Sequence, residues 1–328
     1  MPRFNFQLRV AHPDSIPESI KQFDDVMFAA VKSLFGNCSL TTVDMDRISL
    51  PISQSGFGIA SARTTALPAH LASRLQSLDL QSQLLGHANT EILHARVAPL
   101  FNSFNTQLPE AQRFTIAQVR ESSGPQHMLA SLRNNMLLQE LLSTRDVPRD
   151  RHVIESCLKD SGGWLDMFPL PEKGLVFSAK EWRCAARFRL GKPIYSQPIT
   201  CPCCKKAMLD IYGIHATYCQ GEGDCTARHN MVRDALFDAA KEGHMQVERE
   251  RGFLLSDDVS GEKPADILLH NWSHAQDLCV DVCIANSLEY SSLNRTFDSM
   301  EPLNNKENTK RAKYGHSCAS RGLLFKPF

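Results

Sequence analysis

Apolar residues recur at helical spacing over 19–35, where Ile20, Phe23, Met27, Val31 and Leu34 fall three or four apart and Gly36 follows as a stop. The same rhythm of leucines returns over 67–85 and 128–142, so residues 1–165 read as mainly helical. Between the first two stretches, Leu50-Pro51-Ile52-Ser53-Gln54-Ser55-Gly56-Phe57-Gly58-Ile59 breaks the rhythm and predicts a fixed turn. Ser178-Ala179-Lys180-Glu181 has the form of a capping box, which predicts a helix over 179–190. Past residue 245 the period shortens, and 247–250, 263–269 and 278–284 each read as a short strand. In the last of these Leu278, Val280, Val282 and Ile284 alternate with Cys279, Asp281 and Cys283. The pattern is that of an α+β protein.

Length and composition, 328 residues with 42% hydrophobic, leave room for two or three folded units. With 36 basic and 36 acidic residues the net charge is zero, so any nucleic-acid surface has to come from local clustering. No apolar run approaches the ~18 residues of a membrane span, and the first residues, MPRFNFQLRVAHPDS, lack the apolar stretch of a secretory signal. The chain therefore reads as soluble and intracellular, in a reducing compartment with no membrane partner. Of its 11 cysteines, Cys38, Cys157, Cys184 and Cys318 stand alone, whereas Cys201, Cys203, Cys204, Cys219 and Cys225 crowd together. Crowded cysteines in a reducing compartment point to metal.

Cys201, Cys204, His215 and Cys219 follow the spacing C-x2-C-x10-H-x3-C, two ligands from a tight turn and two from a later element. Four such N/S donors suit a structural, tetrahedral Zn2+. Cys203 is an alternative for either of the first two positions, and Cys225 or His229 for the last. Gly213, Gly221 and Gly223 supply the bends. Before this knuckle, Lys180, Arg183 and Arg187 fall on one strip of the expected helix with Arg189 nearby, either a phosphate-contacting face or a solvated one. After it, Thr226 is placed to cap a helix over 227–242 whose first turn carries Arg228 and His229. Cations there oppose the helix dipole and ask for a phosphate or a carboxylate partner.

Asp266 and Asp281 sit in apolar strand patterns, where an uncompensated charge costs several kcal/mol. Separated by 14 residues, they can stand level on the two arms of a hairpin and share one Mg2+, which prefers hard oxygen ligands. A bound water of lowered pKa would then attack a phosphodiester. In a purely structural reading, Asp266 closes a turn after Pro264 and Asp281 pairs with a basic residue in the core. A lysine is expected beside such a water, and Lys306, Lys310 and Lys313 follow at helical spacing. The other acidic pair, Asp24-Asp25, lies in an amphipathic helix and reads as a solvated edge.

Taken in order, Cys201-x2-Cys204, Gly213-Ile214-His215-Ala216 with Cys219, Ala227-Arg228-His229-Asn230, Lys263-Pro264-Ala265-Asp266 and Leu278-Cys279-Val280-Asp281-Val282 resemble the C-terminal region of non-LTR retrotransposon proteins that carry a restriction-like endonuclease. The 50–58 segment is similar to one that follows the polymerase palm in such proteins. The resemblance implies a helical post-palm region over 1–165, a basic helix linker over 166–198, a zinc knuckle over 199–226 and an α/β PD-(D/E)xK core over 227–328, cut short at its C-terminus. It gives Asp266 and Asp281 the metal-binding acid roles. Glu250 or Glu248 becomes the acid preceding them, and Lys313 or Lys310 the displaced lysine. Arg183, Arg187, Arg228 and His229 become contacts to DNA, and to RNA as a further partner.

Three departures stand out. Ala265 separates Pro264 from Asp266, Asp281 is followed by Val282-Cys283 in place of x-Lys, and no Tyr-x-Asp-Asp polymerase motif occurs, so the chain is not itself a reverse transcriptase. The expected protein is a truncated or domesticated copy, nuclear by virtue of its substrate, acting as a Mg2+-dependent nicking endonuclease. The alternatives are a zinc-dependent nucleic-acid-binding module with a decayed core, and a helical interaction protein that uses none of these motifs.

Overall fold

Where leucines and phenylalanines recur every third or fourth residue, the chain is helical, and where they alternate it is extended. The computed structural model describes residues 2–85, 90–143, 147–221, 224–252, 254, 264–288 and 300–328; Gly223 and Lys263 lie outside them. The fold is α+β and divides into two compact units, Met1–Lys192 and Pro193–Phe328, with both sheets in the second. No helix of the described residues is long and apolar enough to cross a membrane.

The first unit contains α1 (Pro2–Val10), α2 (Pro17–Leu34), α3 (Thr42–Ser49), α4 (Ala62–Leu85), α5 (Thr90–Thr106), α6 (Ile116–Glu121), α7 (Pro125–Leu142), α8 (Val147–Ser156) and α9 (Ala179–Leu190). One core joins Leu71 and Leu75 of α4 to Phe101 and Phe104 of α5 and Leu129 of α7. A second gathers Val31, Phe35, Ile48, Phe57, Ala186 and Leu190. The helix of the capping box, α9, thus belongs to this unit and not to a linker over 166–198. Asp24, expected at a solvated edge, instead caps α4: its carboxylate accepts the N–H groups of Ala62 at 2.7 Å and Arg63 at 3.0 Å and the Ser61 hydroxyl at 2.8 Å.

The 50–58 turn is the hub of the second core. Arg47, 1% exposed, donates to Ser55 Oγ at 2.7 Å and to the carbonyls of Arg189 at 2.6 Å and Leu190 at 3.2 Å. Arg189 donates in return to the carbonyls of Ile52 at 2.8 Å and Gly56 at 3.2 Å. A Cβ on Gly56 would stand 1.9 Å from the Leu50 carbonyl oxygen, so only glycine closes the turn.

In the second unit, β1 (Ile199–Thr200) and β2 (Met208–Leu209) form a short hairpin, followed by α10 (Ile214–Tyr218) and α11 (Asp224–Glu242). Helix α11 starts three residues before the position expected from Thr226, which lies inside it. Then come β3 (Val247–Arg249), β4 (Ile267–Ser273) and β5 (Gln276–Asp281), antiparallel in that order. Helix α12 (Glu301–Lys310) continues through a π-helical turn, Arg311–Gly315, and returns the chain to β6 (Leu324–Pro327), parallel to β5. The period-2 pattern places Leu278 and Val280 against Phe237 of α11 on one face of this sheet. On the other face Cys279 meets Tyr314 and Cys318.

Replacing Arg47 by alanine strands several buried carbonyls, and we expect a loss on the order of 3 kcal/mol, read as a lower urea midpoint. A midpoint shift within experimental error would show the hub to be dispensable.

Candidate metal centre and acidic cleft

The hairpin β1–β2 and helix α10 converge on four ligand atoms. Cys201 Sγ lies 3.7 Å from Cys219 Sγ, and Cys204 Sγ lies 3.5 Å from His215 Nε2. Among the described residues these four form the one group of three or more such side chains whose ligand atoms all lie within 4.8 Å of one another. Cys203 and Cys225, the sequence alternatives, fall outside it. Three thiols and an imidazole, largely buried, fit Zn2+.

The backbone prepares the site. The N–H of Ala207 reaches Cys204 Sγ at 3.5 Å, and that of Gly221 reaches Cys219 Sγ at 3.4 Å. Backbone N–H groups of Lys206 and Ala207 pull the Cys204 thiol down to about 6, toward the thiolate that a metal needs. Asp210 accepts the N–H groups of Ile214 and His215 at 3.2 and 2.9 Å and so sets α10 and its histidine. A Cβ on Gly221 would stand 2.4 Å from Cys204 N; this glycine is required by close approach of two segments, beyond the simple bend expected of it. Asp210 went unread in the sequence, although an aspartate three residues before Gly213 is a turn signal.

Arg228, expected to meet phosphate, donates to the carbonyls of Ala216 at 2.8 Å and Cys219 at 3.0 Å and ties the knuckle to α11. One residue on, His229, which the earlier helix start places past the first turn, meets a carboxylate, with Nε2 3.0 Å from Asp266 Oδ2. One helical turn later Arg233 is ion-paired with Glu250. Arg233 went unread in the sequence, although its i, i+4 spacing from His229 puts both on one helix face.

Ile267 pairs with Val280, so the next step of the ladder brings Asp266 level with Asp281. Asp266 stands just before β4, not inside a strand, and its Oδ2 also accepts the N–H of Val282 at 2.6 Å. Asp281, 5% exposed, ends β5 and meets Lys310 Nζ at 2.8 Å. Burial lifts the Asp281 carboxyl above its ordinary range; Lys310 opposes the shift and the neighbouring Asp266 adds to it. Lys310, His229, Lys306 and Cys283 line a cleft of about 420 Å3; the acids do not line it themselves and meet it through Lys310 and His229.

The remaining expected site residues are engaged elsewhere. Lys313 lies over the Tyr314 ring at 4.6 Å. Glu248 meets His270 at 3.0 Å and Arg251 at 2.6 Å. Arg187 turns inward and donates to the Phe35 carbonyl at 2.9 and 2.7 Å, closing α2, so its expected place on a phosphate-facing strip is corrected by this cap. Arg183 stays exposed on α9. No protein-family model matches the chain, and no curated protein matches it.

Two outcomes follow. Cys203→Ser protein should retain one zinc per chain by elemental analysis, whereas Cys201→Ser and Gly221→Ala should lose it; equal loss in all three would reassign the ligands. The second concerns pH: the folded state prefers Asp281 protonated, so its contribution to stability is present at low pH and is lost as pH rises from 3.8 through the raised value. Asp281→Asn removes that slope, and its urea midpoint should gain on the parent's as pH rises, a constant difference refuting the assignment.

Proposed function

We propose that residues 227–328 form a restriction-like nuclease core that nicks DNA with Mg2+, in a retrotransposon-derived protein whose zinc knuckle braces the core and adds nucleic-acid contact. The observation that carries this reading is the pair Asp266 and Asp281, level on neighbouring chain segments, with Lys310 at 2.8 Å from Asp281. The order of elements supports it as well: a helix, three antiparallel strands, a second helix and a strand parallel to the third. This mixture of strands and flanking helices agrees with the α/β core that the resemblance implies.

The two carboxylates are hard oxygen donors and suit Mg2+, which would supply a nucleophilic water and offset charge on the phosphate. Lys310 takes the role of the lysine that is missing two residues after Asp281, delivered from α12 instead of from the strand. Lys306, also on α12, adds positive charge to the cleft where a phosphate would lie. His229 orients the Asp266 carboxylate from α11, and Arg228 holds that helix on the knuckle. Zinc thus bears on the acidic cleft through Arg228 and His229, one residue apart.

A second reading, a nucleic-acid-binding module whose core no longer cleaves, is favoured by one feature. Asp281, Asp266 and Glu250 each already hold a protein cation or imidazole: Lys310, His229 and Arg233.

Zinc-loaded protein incubated with supercoiled plasmid and Mg2+ or Mn2+ separates the two. The nuclease reading expects nicked circles from the parent, a drop of at least a hundredfold in Asp266→Ala and Asp281→Ala, and a weaker but large drop in Lys310→Ala. Intact plasmid from the parent with either ion, together with DNA binding that chelation of zinc abolishes, would select the second reading.

A further inference from the structure

A cavity of about 460 Å3 opens between α4 and α5 in the first unit, remote in sequence from every residue of the metal centre and the acidic cleft. Among the described residues, the ionisable ones that line it are all basic: His12, His70, Arg74 and Arg96. Arg74 and Arg96 are both exposed, and neither has an ion pair among the described residues. Two like charges drawn to one opening without a carboxylate between them are a receptor for an anion, because a guanidinium grips a delocalised oxyanion through paired N–H donors.

The uncharged part of the lining defines the rest of the ligand. Leu78, Leu93, Val97 and Leu100 supply aliphatic wall, and the lining holds no Phe, Tyr or Trp on which a nucleobase would stack. His70 lies at 3% exposure, and its Nδ1 has no hydrogen-bond partner. Burial, reinforced by Arg74 and His12, holds His70 below its ordinary range and so neutral at pH 7. Nδ1 of His12 accepts the Asp14 N–H at 3.2 Å. Arg74 and Arg96 thus bring permanent positive charge to the opening, and the wall beyond them is mainly aliphatic.

We propose that this cavity binds a small aliphatic anion, with its carboxylate or phosphate head between Arg74 and Arg96 and its chain along Leu78, Leu93, Val97 and Leu100. The volume is within the range of small-molecule sites, about 300 to 1,000 Å3. Binding here joins α4 to α5 through a shared ligand and should stabilise the first unit by mass action.

The full-length, zinc-loaded protein is titrated calorimetrically below the micellar concentration with decyl phosphate, decanoate, decyltrimethylammonium, inorganic phosphate and a single-stranded RNA. Decyl phosphate and decanoate are expected to bind one per chain and to raise Tm, with decyltrimethylammonium inert. Arg74→Ala/Arg96→Ala should weaken binding at least tenfold with an unchanged circular dichroism spectrum, and Arg74→Lys/Arg96→Lys should recover most of it. If the double alanine variant lost its fold, single Arg74→Gln and Arg96→Gln variants carry the same expectation. Binding untouched by these changes, or equal binding of the cationic amphiphile, would overturn the site. RNA or inorganic phosphate held at the same arginines as tightly as decyl phosphate would overturn the aliphatic ligand and leave a phosphate contact in its place.

Discussion

A charged group taken out of water has to meet its opposite or be neutralised, and the second unit is arranged around that requirement at Asp281. Its carboxylate ends an inner strand of a sheet packed by apolar residues on both faces, and Lys310 reaches it from the helix beyond. The π-helical turn immediately after Lys310 lets the following residues, Tyr314 and Cys318, seal the sheet while the lysine stays at its edge. Asp266 meets the same requirement through His229 and the Val282 N–H. A site assembled in this way concentrates two acids, a lysine and an imidazole at one end of a sheet.

The same physics organises the rest of the molecule with different partners. In the first unit the buried charge is a guanidinium, and carbonyl oxygens of the 50–58 turn and of α9 take the place of an acid. That exchange of hydrogen bonds between Arg47 and Arg189 ties a glycine-bearing turn to a helix about 130 residues later. In the knuckle, backbone N–H groups directed at the Cys204 sulfur favour its thiolate, and four converging donors then ask for a cation. Arg228 carries the consequence across to α11, so the metal centre and the acidic cleft share one helix.

Local chemistry was legible wherever a few neighbouring residues decide the outcome. The capping box at Ser178 and Glu181, the helical run ending at Gly36 and the alternation through Leu278–Cys279–Val280 all depend on near-neighbour sterics and burial, and each is present as read. Readings failed where a side chain's partner lies far along the chain. Asp24 passed for solvated because its partners, Ser61 to Arg63, are 37 to 39 residues away. Arg187 passed for a phosphate ligand because the carbonyl it closes is 152 residues distant. The strand Leu324–Pro327 went unread: four residues carry too little pattern, and its pairing with β5 fixes it instead.

Sequence by itself determined the α+β class, most of the principal helices and the four candidate zinc ligands, because period, caps and cysteine spacing are local properties of the chain. Only the tertiary structure decided that Cys203 and Cys225 stand outside the ligand group, that Lys310 and not Lys313 meets Asp281, and that His229 answers Asp266. Those choices turn on which atoms come within a few ångströms after β4, β5 and α11 have packed, a distance that spacing along the chain does not encode.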